Sequence, residues 1–185
     1  MSTLPIYLYG TEVLRKKAEK VKTISEEDKL FIKDMLETMY SSNGIGLAAN
    51  QVGVAKQILV VDISDTEQGK GTSPFVIINP TILLEEGSWE MEEGCLSIPE
   101  IREKVTRAET IRIQYNDEEM NTKELIASGL LGRVLLHEID HLNGVLFIDH
   151  ISATQRMLLK SKLRKISNGE VEIEYPFVIT PKKKK

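Results

Sequence analysis

At 185 residues, 41% hydrophobic and 28% charged, the chain has the composition of a soluble protein and the length of one domain with a substantial core. Its net charge of −4 argues against a general binder of DNA or other nucleic acid, which is usually basic overall. One cysteine excludes an internal disulfide and fits a reducing, cytoplasmic setting; no signal peptide and no apolar run long enough for a membrane span is seen.

Residues 11–20 read as a short surface helix. Ser25-Glu26-Glu27-Asp28 resembles a capping box with Asp in the place of Glu. It opens a stronger helix in which Leu30, Phe31, Met35, Leu36 and Met39 repeat at helical spacing and should face the core. The breakers Ser41-Ser42-Asn43-Gly44 should stop it.

Gly44-Ile45-Gly46-Leu47-Ala48-Ala49-Asn50-Gln51 comes next. Gly44, Gly46 and Ala49 imitate a dinucleotide fingerprint, and Asp62 closes the strand-like run Ile58-Leu59-Val60-Val61. A true fingerprint needs a strand before it and a helix of several turns after it. Here a helix precedes it, and Gly53 interrupts the chain only two residues after Gln51. Paired glycines also permit close approach of the backbone to a ligand. Gln51, uncharged with two donors, is then either a ligand contact or a plain surface amide.

Further strand-like runs are Val76-Ile77-Ile78, Ile82-Leu83-Leu84 and Ile111-Arg112-Ile113-Gln114-Tyr115. The polar stretch Asp65–Ser73 reads as a loop and Asn116-Asp117-Glu118-Glu119 as a hairpin turn. Between these strands lies Met91-Glu92-Glu93-Gly94-Cys95-Leu96-Ser97-Ile98-Pro99. A lone cysteine is more often a buried hydrophobe than a ligand, but a thiolate suits zinc or ferrous iron.

Leu136-His137-Glu138-Ile139-Asp140-His141-Leu142 is the centre of the chain. Leu130, Val134, His137 and His141 form one helical stripe, and Leu131, Leu135 and Leu142 a neighbouring one. A helix apolar on so many sides is buried. Two imidazoles one turn apart can bind one divalent metal, with Glu138 within reach of a metal-bound water. Core histidines satisfied by carbonyls are the alternative. Two ligands are one short of a catalytic site, and Cys95 is the natural third. Gly144 and Phe147 then exclude the metzincin peptidases, which need a third histidine where Phe147 stands. His150 reads as a surface or interface histidine.

Ser152-Ala153-Thr154-Gln155 forms a second capping box. It starts a helix to about Ile166, with Met157, Leu158, Leu163 and Ile166 packing and Arg156, Lys160, Lys162, Arg164 and Lys165 outward. Asn168-Gly169 ends it. This divides the chain into a catalytic domain over 1–167 and an extension over 168–185 that closes on Lys182-Lys183-Lys184-Lys185.

Three motifs stand in order: Gly44–Gln51, Glu93-Gly-Cys-Leu-Ser97 and His137-Glu-Ile-Asp-His141. Together they resemble the bacterial-type peptide deformylases, from Leu4-Pro5-Ile6 through the C-terminal helix. The resemblance implies an α+β fold, with antiparallel sheets packed around the helix that carries His-Glu-x-x-His, plus a C-terminal helix. It implies one divalent metal on Cys95, His137 and His141 with water in the fourth position. That metal is Fe2+ in the cell, and Zn2+, Ni2+ or Co2+ can substitute. The implied reaction removes the formyl group from formyl-methionyl nascent peptides, with Glu138 as general base and acid. The Leu96 N–H and the Gln51 amide would hold the oxyanion. Gly44, Ile45, Gly46, Glu93, Gly94, Leu130 and Val134 would bind substrate, and the basic C-terminal helix would touch the ribosome transiently. Many relatives carry Gln at the position of Leu136, and Pro or Thr at the position of Asn50. Rival readings are a zinc peptidase with Glu170 or Glu172 as third ligand, a structural metal site closed by Glu138, and a non-catalytic ribosome-binding module.

Overall fold

A computed structural model describes residues 2–180; the lysine run Lys182–Lys185 lies outside them. The strands are β1 (Ile6–Tyr7), β2 (Gly46–Ala48), β3 (Ile58–Val61), β4 (Phe75–Glu86), β5 (Trp89–Cys95), β6 (Ile98–Arg107), β7 (Thr110–Asn116), β8 (Thr122–Ser128) and β9 (Phe177–Val178). The helices are α1 (Glu26–Ser41), α2 (Gly129–Leu142) and α3 (Ala153–Ser167).

Burial explains the strand patterns. β3 is an unbroken apolar run because both its faces are covered. Leu59 and Val61 join Ala48 and Ile77 against α2, while Ile58 and Val60 join Leu47 and Ile78 against α1. β7 alternates instead: Ile111 and Ile113 are buried, and Arg112 and Gln114 face outward. The five strands run antiparallel in the order β2-β3-β4-β7-β8, with α2 packed across them. β5 and β6 form a separate antiparallel hairpin. The expected α+β arrangement around α2 is what the chain adopts. The small β1–β9 pair is parallel, the one departure from antiparallel pairing among the described sheets.

Three expectations change. Residues 11–20 form only a 3-10 turn, Glu12–Arg15. Beyond it the backbone is drawn into tertiary bonds, the Ala18 N–H donating to the Leu142 carbonyl at 2.7 Å and the Gln57 N–H to that of Glu19 at 2.8 Å. On α1 the capping box forms, Met35 and Met39 are buried and Phe31 and Leu36 pack against them as expected, but Asp28, Ile32 and Thr38 are buried too and Leu30 is 57% exposed. On α3 the box at Ser152 and Gln155 forms, yet Met157 and Leu158 face solvent; Leu159, Leu163 and Ile166 pack. In both helices one narrow stripe meets the body, and apolar residues a position away rotate out of it.

Residues 168–180, set apart by the sequence reading, pack against the rest. Val171, Ile173, Tyr175 and Ile179 lie on the apolar cluster of Ile6, Leu8, Ile98, Phe147 and Leu163. Among the described residues no helix is long and apolar enough to cross a membrane.

Candidate metal centre and cleft

α2 is placed by close backbone approach. Gly129 takes φ +58°, and the Leu130 N–H is capped by the side-chain oxygen of Gln68 at 3.0 Å. A Cβ at Gly132 would lie 2.9 Å from the Ala127 carbonyl oxygen, so glycine lets the helix sit against β8. The helix ends at Asn143-Gly144, with Gly144 at φ +75°. This register buries His137 and His141 on one face.

Cys95 arrives from the β5–β6 hairpin, where it pairs with Ile98 across the two-residue turn Leu96-Ser97. Its Sγ lies 3.2 Å from His141 Nε2, which lies 3.3 Å from His137 Nε2. The three donor atoms all fall within 4.8 Å of one another. Tetrahedral bonds of about 2.0–2.3 Å to one ion would separate such donors by roughly 3.3–3.6 Å. The trio therefore fits a divalent metal, and its open side faces the cleft.

A buried network aims the first histidine. His137 Nδ1 donates to Glu93 Oε2 at 2.9 Å, which leaves Nε2 as the free lone pair. Glu93 also accepts from Arg107 Nε at 2.7 Å and Arg133 Nη1 at 2.8 Å. Arg107 reaches on to Asp140 at 2.6 Å, and His150 donates to the same Asp140 oxygen at 2.7 Å. Burial alone would raise the Glu93 carboxyl; His137 and Arg107 outweigh it and hold the group well below the usual carboxylate range. Burial and the neighbouring His137 push His141 down, toward the neutral form that ligates metals. Phe147, at the position where metzincins carry their third histidine, stacks on the His137 ring at 6.2 Å between centroids.

Glu138 is buried, and its Oε2 has no hydrogen-bond partner among the described residues. Burial pushes its carboxyl up to about 7, with Glu93 adding to the rise and His137 opposing it. Gly46 makes room for it, since a Cβ there would lie 2.6 Å from Glu138 Oε1 and 2.7 Å from Val134 Cγ1. Gly46→Ala is therefore expected to displace the carboxylate. Activity should fall about 100-fold, as misplacement by about 1 Å can do, and the crowding against Val134 should lower stability by about 1–3 kcal/mol. Steady-state kinetics beside a thermal melt check this.

Gln51 is fixed by the Ala48 N–H, which donates to its side-chain oxygen at 2.7 Å. Its NH2 group then faces Ser97 Oγ at 3.4 Å and Cys95 Sγ at 3.6 Å. A cleft of about 640 Å³ opens above these groups. Every residue expected to bind substrate lines it: Gly44, Ile45, Gly46, Glu93, Gly94, Leu130 and Val134. The Glu93 carboxylate is engaged by two arginines and a histidine, so its side chain serves to aim His137.

Sequence reasoning missed Arg107, Arg133 and Tyr175. Arg133 left a signal: a charged residue on an otherwise apolar helix must find a buried partner. Tyr175, at the cleft wall, left one too: it ends the alternating run Val171, Ile173, Tyr175, whose period of two marks a packing face. His150 is exposed, in line with its reading as a surface or interface histidine, and it also bonds Asp140. The rival third ligands are not at the site. Among the described residues Cys95, His137 and His141 form the metal-binding cluster, and it includes neither Glu138, Glu170 nor Glu172.

Comparison with known proteins agrees with this geometry. The sequence profile of the family "Polypeptide deformylase" matches residues 3–157. The chain is 49% identical to the peptide deformylase of Salinibacter ruber, covering 95% of this chain and 94% of that protein. It is 42% identical to that of Prosthecochloris aestuarii, covering 94% and 93%. Among solved structures, the peptide deformylase of Legionella pneumophila superposes with a TM-score of 0.83 at 40% identity, covering 91% of this chain and 98% of that one. The Ehrlichia chaffeensis peptide deformylase bound to actinonin gives a TM-score of 0.84 at 36% identity, covering 93% and 100%.

Proposed function

Because the chain belongs to the polypeptide deformylase family, metal-dependent hydrolases that remove the N-formyl group from nascent peptides, we propose that it deformylates formyl-methionyl peptides with Glu138 as proton carrier. The observation that carries this reading is the trio Cys95, His137 and His141 beside a buried carboxylate with a free oxygen.

A divalent cation on these donors supplies Lewis acidity and makes water a better acid. Thiolate with two imidazoles suits ferrous iron, the proposed cellular metal, and also zinc, nickel or cobalt. The residues do the rest. Glu138 takes the proton of the attacking water and returns it to the departing amine. The oxygen that turns negative is met by the Leu96 N–H and the Gln51 NH2. Each such donor stabilises the transition state by about 3 kcal/mol. Gln51 is suited to this because the Ala48 N–H holds its other end.

Ile45, Leu130, Val134 and the edge of His137 provide an apolar pocket for the methionine side chain. β2 is an edge strand of its sheet. Gly46 there, with Gly44 and with Gly94 on β5, leaves room for a peptide to add as a strand. The exposed Arg156, Lys160, Lys162, Arg164 and Lys165 of α3 suit a transient contact with ribosomal RNA in the cytoplasm.

The test is formate release from a formyl-methionyl peptide by the metal-loaded protein; no formate above background sinks the reading. Cys95→Ser tests the thiolate. It is expected to lose most of the metal during purification, as read by elemental analysis, and full retention would remove Cys95 from the ligand set.

A further inference from the structure

The Leu96-Ser97 turn is gripped from both ends of the chain. On one side the Tyr9 N–H donates to the Ser97 carbonyl at 2.8 Å. On the other the Tyr175 hydroxyl donates to the Leu96 carbonyl at 2.8 Å. Tyr175 belongs to the segment after α3, beyond the stretch matched by the family profile. That segment is itself anchored. β9 pairs with β1, the Glu172 N–H donates to Glu100 at 3.1 Å, and Thr180 Oγ1 donates to the Gly10 carbonyl at 2.9 Å. The Tyr175 ring is half-buried and forms part of the cleft wall.

The turn it grips is two residues long and lies between the cysteine ligand and Ile98. The turn is closed by the Cys95–Ile98 pair and held at both its Leu96 and Ser97 carbonyls, so few soft dihedrals are left through which the Leu96 N–H could swing. We propose that Tyr175 is a positioning residue: its hydroxyl holds the Leu96-Ser97 turn so that the Leu96 N–H points at the developing oxyanion. The C-terminal strap is then part of the catalytic unit. This rests on the deformylase reading, because the oxyanion belongs to that reaction.

Tyr175→Phe removes the hydroxyl and keeps the ring. Loosening the turn without removing the Leu96 donor forfeits part of that donor's stabilisation of the transition state and should lower kcat about five- to tenfold, with KM within about twofold of the parent. A role in packing alone would move neither parameter. In zinc-loaded protein, which is diamagnetic, the amide protons of Leu96 and Ser97 should exchange faster in the variant while the melting temperature stays close to that of the parent. Unchanged kcat, a rise in KM alone, or unmoved exchange at both amides overturns the proposal. If the parent protein releases no formate, the functional reading fails separately, and the exchange measurement still decides whether Tyr175 holds the turn.

Discussion

Glu138→Gln is expected to keep its metal and its fold and to lose about 1,000-fold in turnover, within the range of a general acid–base contribution. The side chain is buried, close in size to the amide that replaces it, and sits outside the three-donor cluster. Metal loading should therefore be unaffected. Its stability should not suffer either, since an amide is less costly to bury than a carboxylate without a full set of partners. The measurement is kcat on a formyl-methionyl peptide alongside elemental analysis of the same preparation. Near-parental turnover would take Glu138 out of the mechanism, and metal loss would make it a ligand.

Glu93→Ala is expected to produce the largest loss of stability. The carboxylate is flanked by Arg107, Arg133 and His137, and the side chains of Glu93 and both arginines are nearly inaccessible, at 3–5%. Removing one partner from a buried ion cluster leaves the other charges uncompensated and costs about 3–5 kcal/mol. Arg107 keeps Asp140, and Arg133 keeps the Val105 carbonyl at 2.9 Å and its place over the Trp89 ring at 5.2 Å, so the lower half of that range is expected. Denaturant unfolding of metal-free parent and variant measures the effect without a bound cation adding to either. A second consequence falls on His137. Without an acceptor for its Nδ1 proton the ring loses its fixed tautomer, and metal affinity should drop about 10- to 100-fold. A change under about 1 kcal/mol, with affinity intact, would show that the cluster is dispensable.

The metal trio was legible because it consists of residue types with little other reason to occur together. His137 and His141 fall one turn apart on a helix with no polar face, and Cys95 is the only thiol. The strand run at β3 was legible too, since four apolar residues in a row require cover on both sides. The surroundings of the trio were harder to read. Glu93 lies beside the cysteine, and nothing local tells whether its carboxylate faces a substrate or a histidine 44 residues later. That choice is made by Arg107 and Arg133, which come from β6 and α2. On α3, Met157 and Leu158 satisfy a helical period as well as Leu159 does; the body it packs on selects the stripe. Tyr175 closes the alternating run Val171, Ile173, Tyr175, which marks a packing face; nothing local says that its hydroxyl meets the Leu96 carbonyl 79 positions earlier.

The pairing of β1 with β9 has a consequence for biogenesis. Ribosomes deliver a polypeptide from its amino end, so Ile6 and Tyr7 emerge long before Phe177 and Val178 and must wait for them. Closure across so long a separation is slow, because the entropy of the intervening loop is lost before any contact repays it. A newly made copy thus closes this clasp only once the segment after α3 has left the ribosome, long after the metal-binding helix has been made.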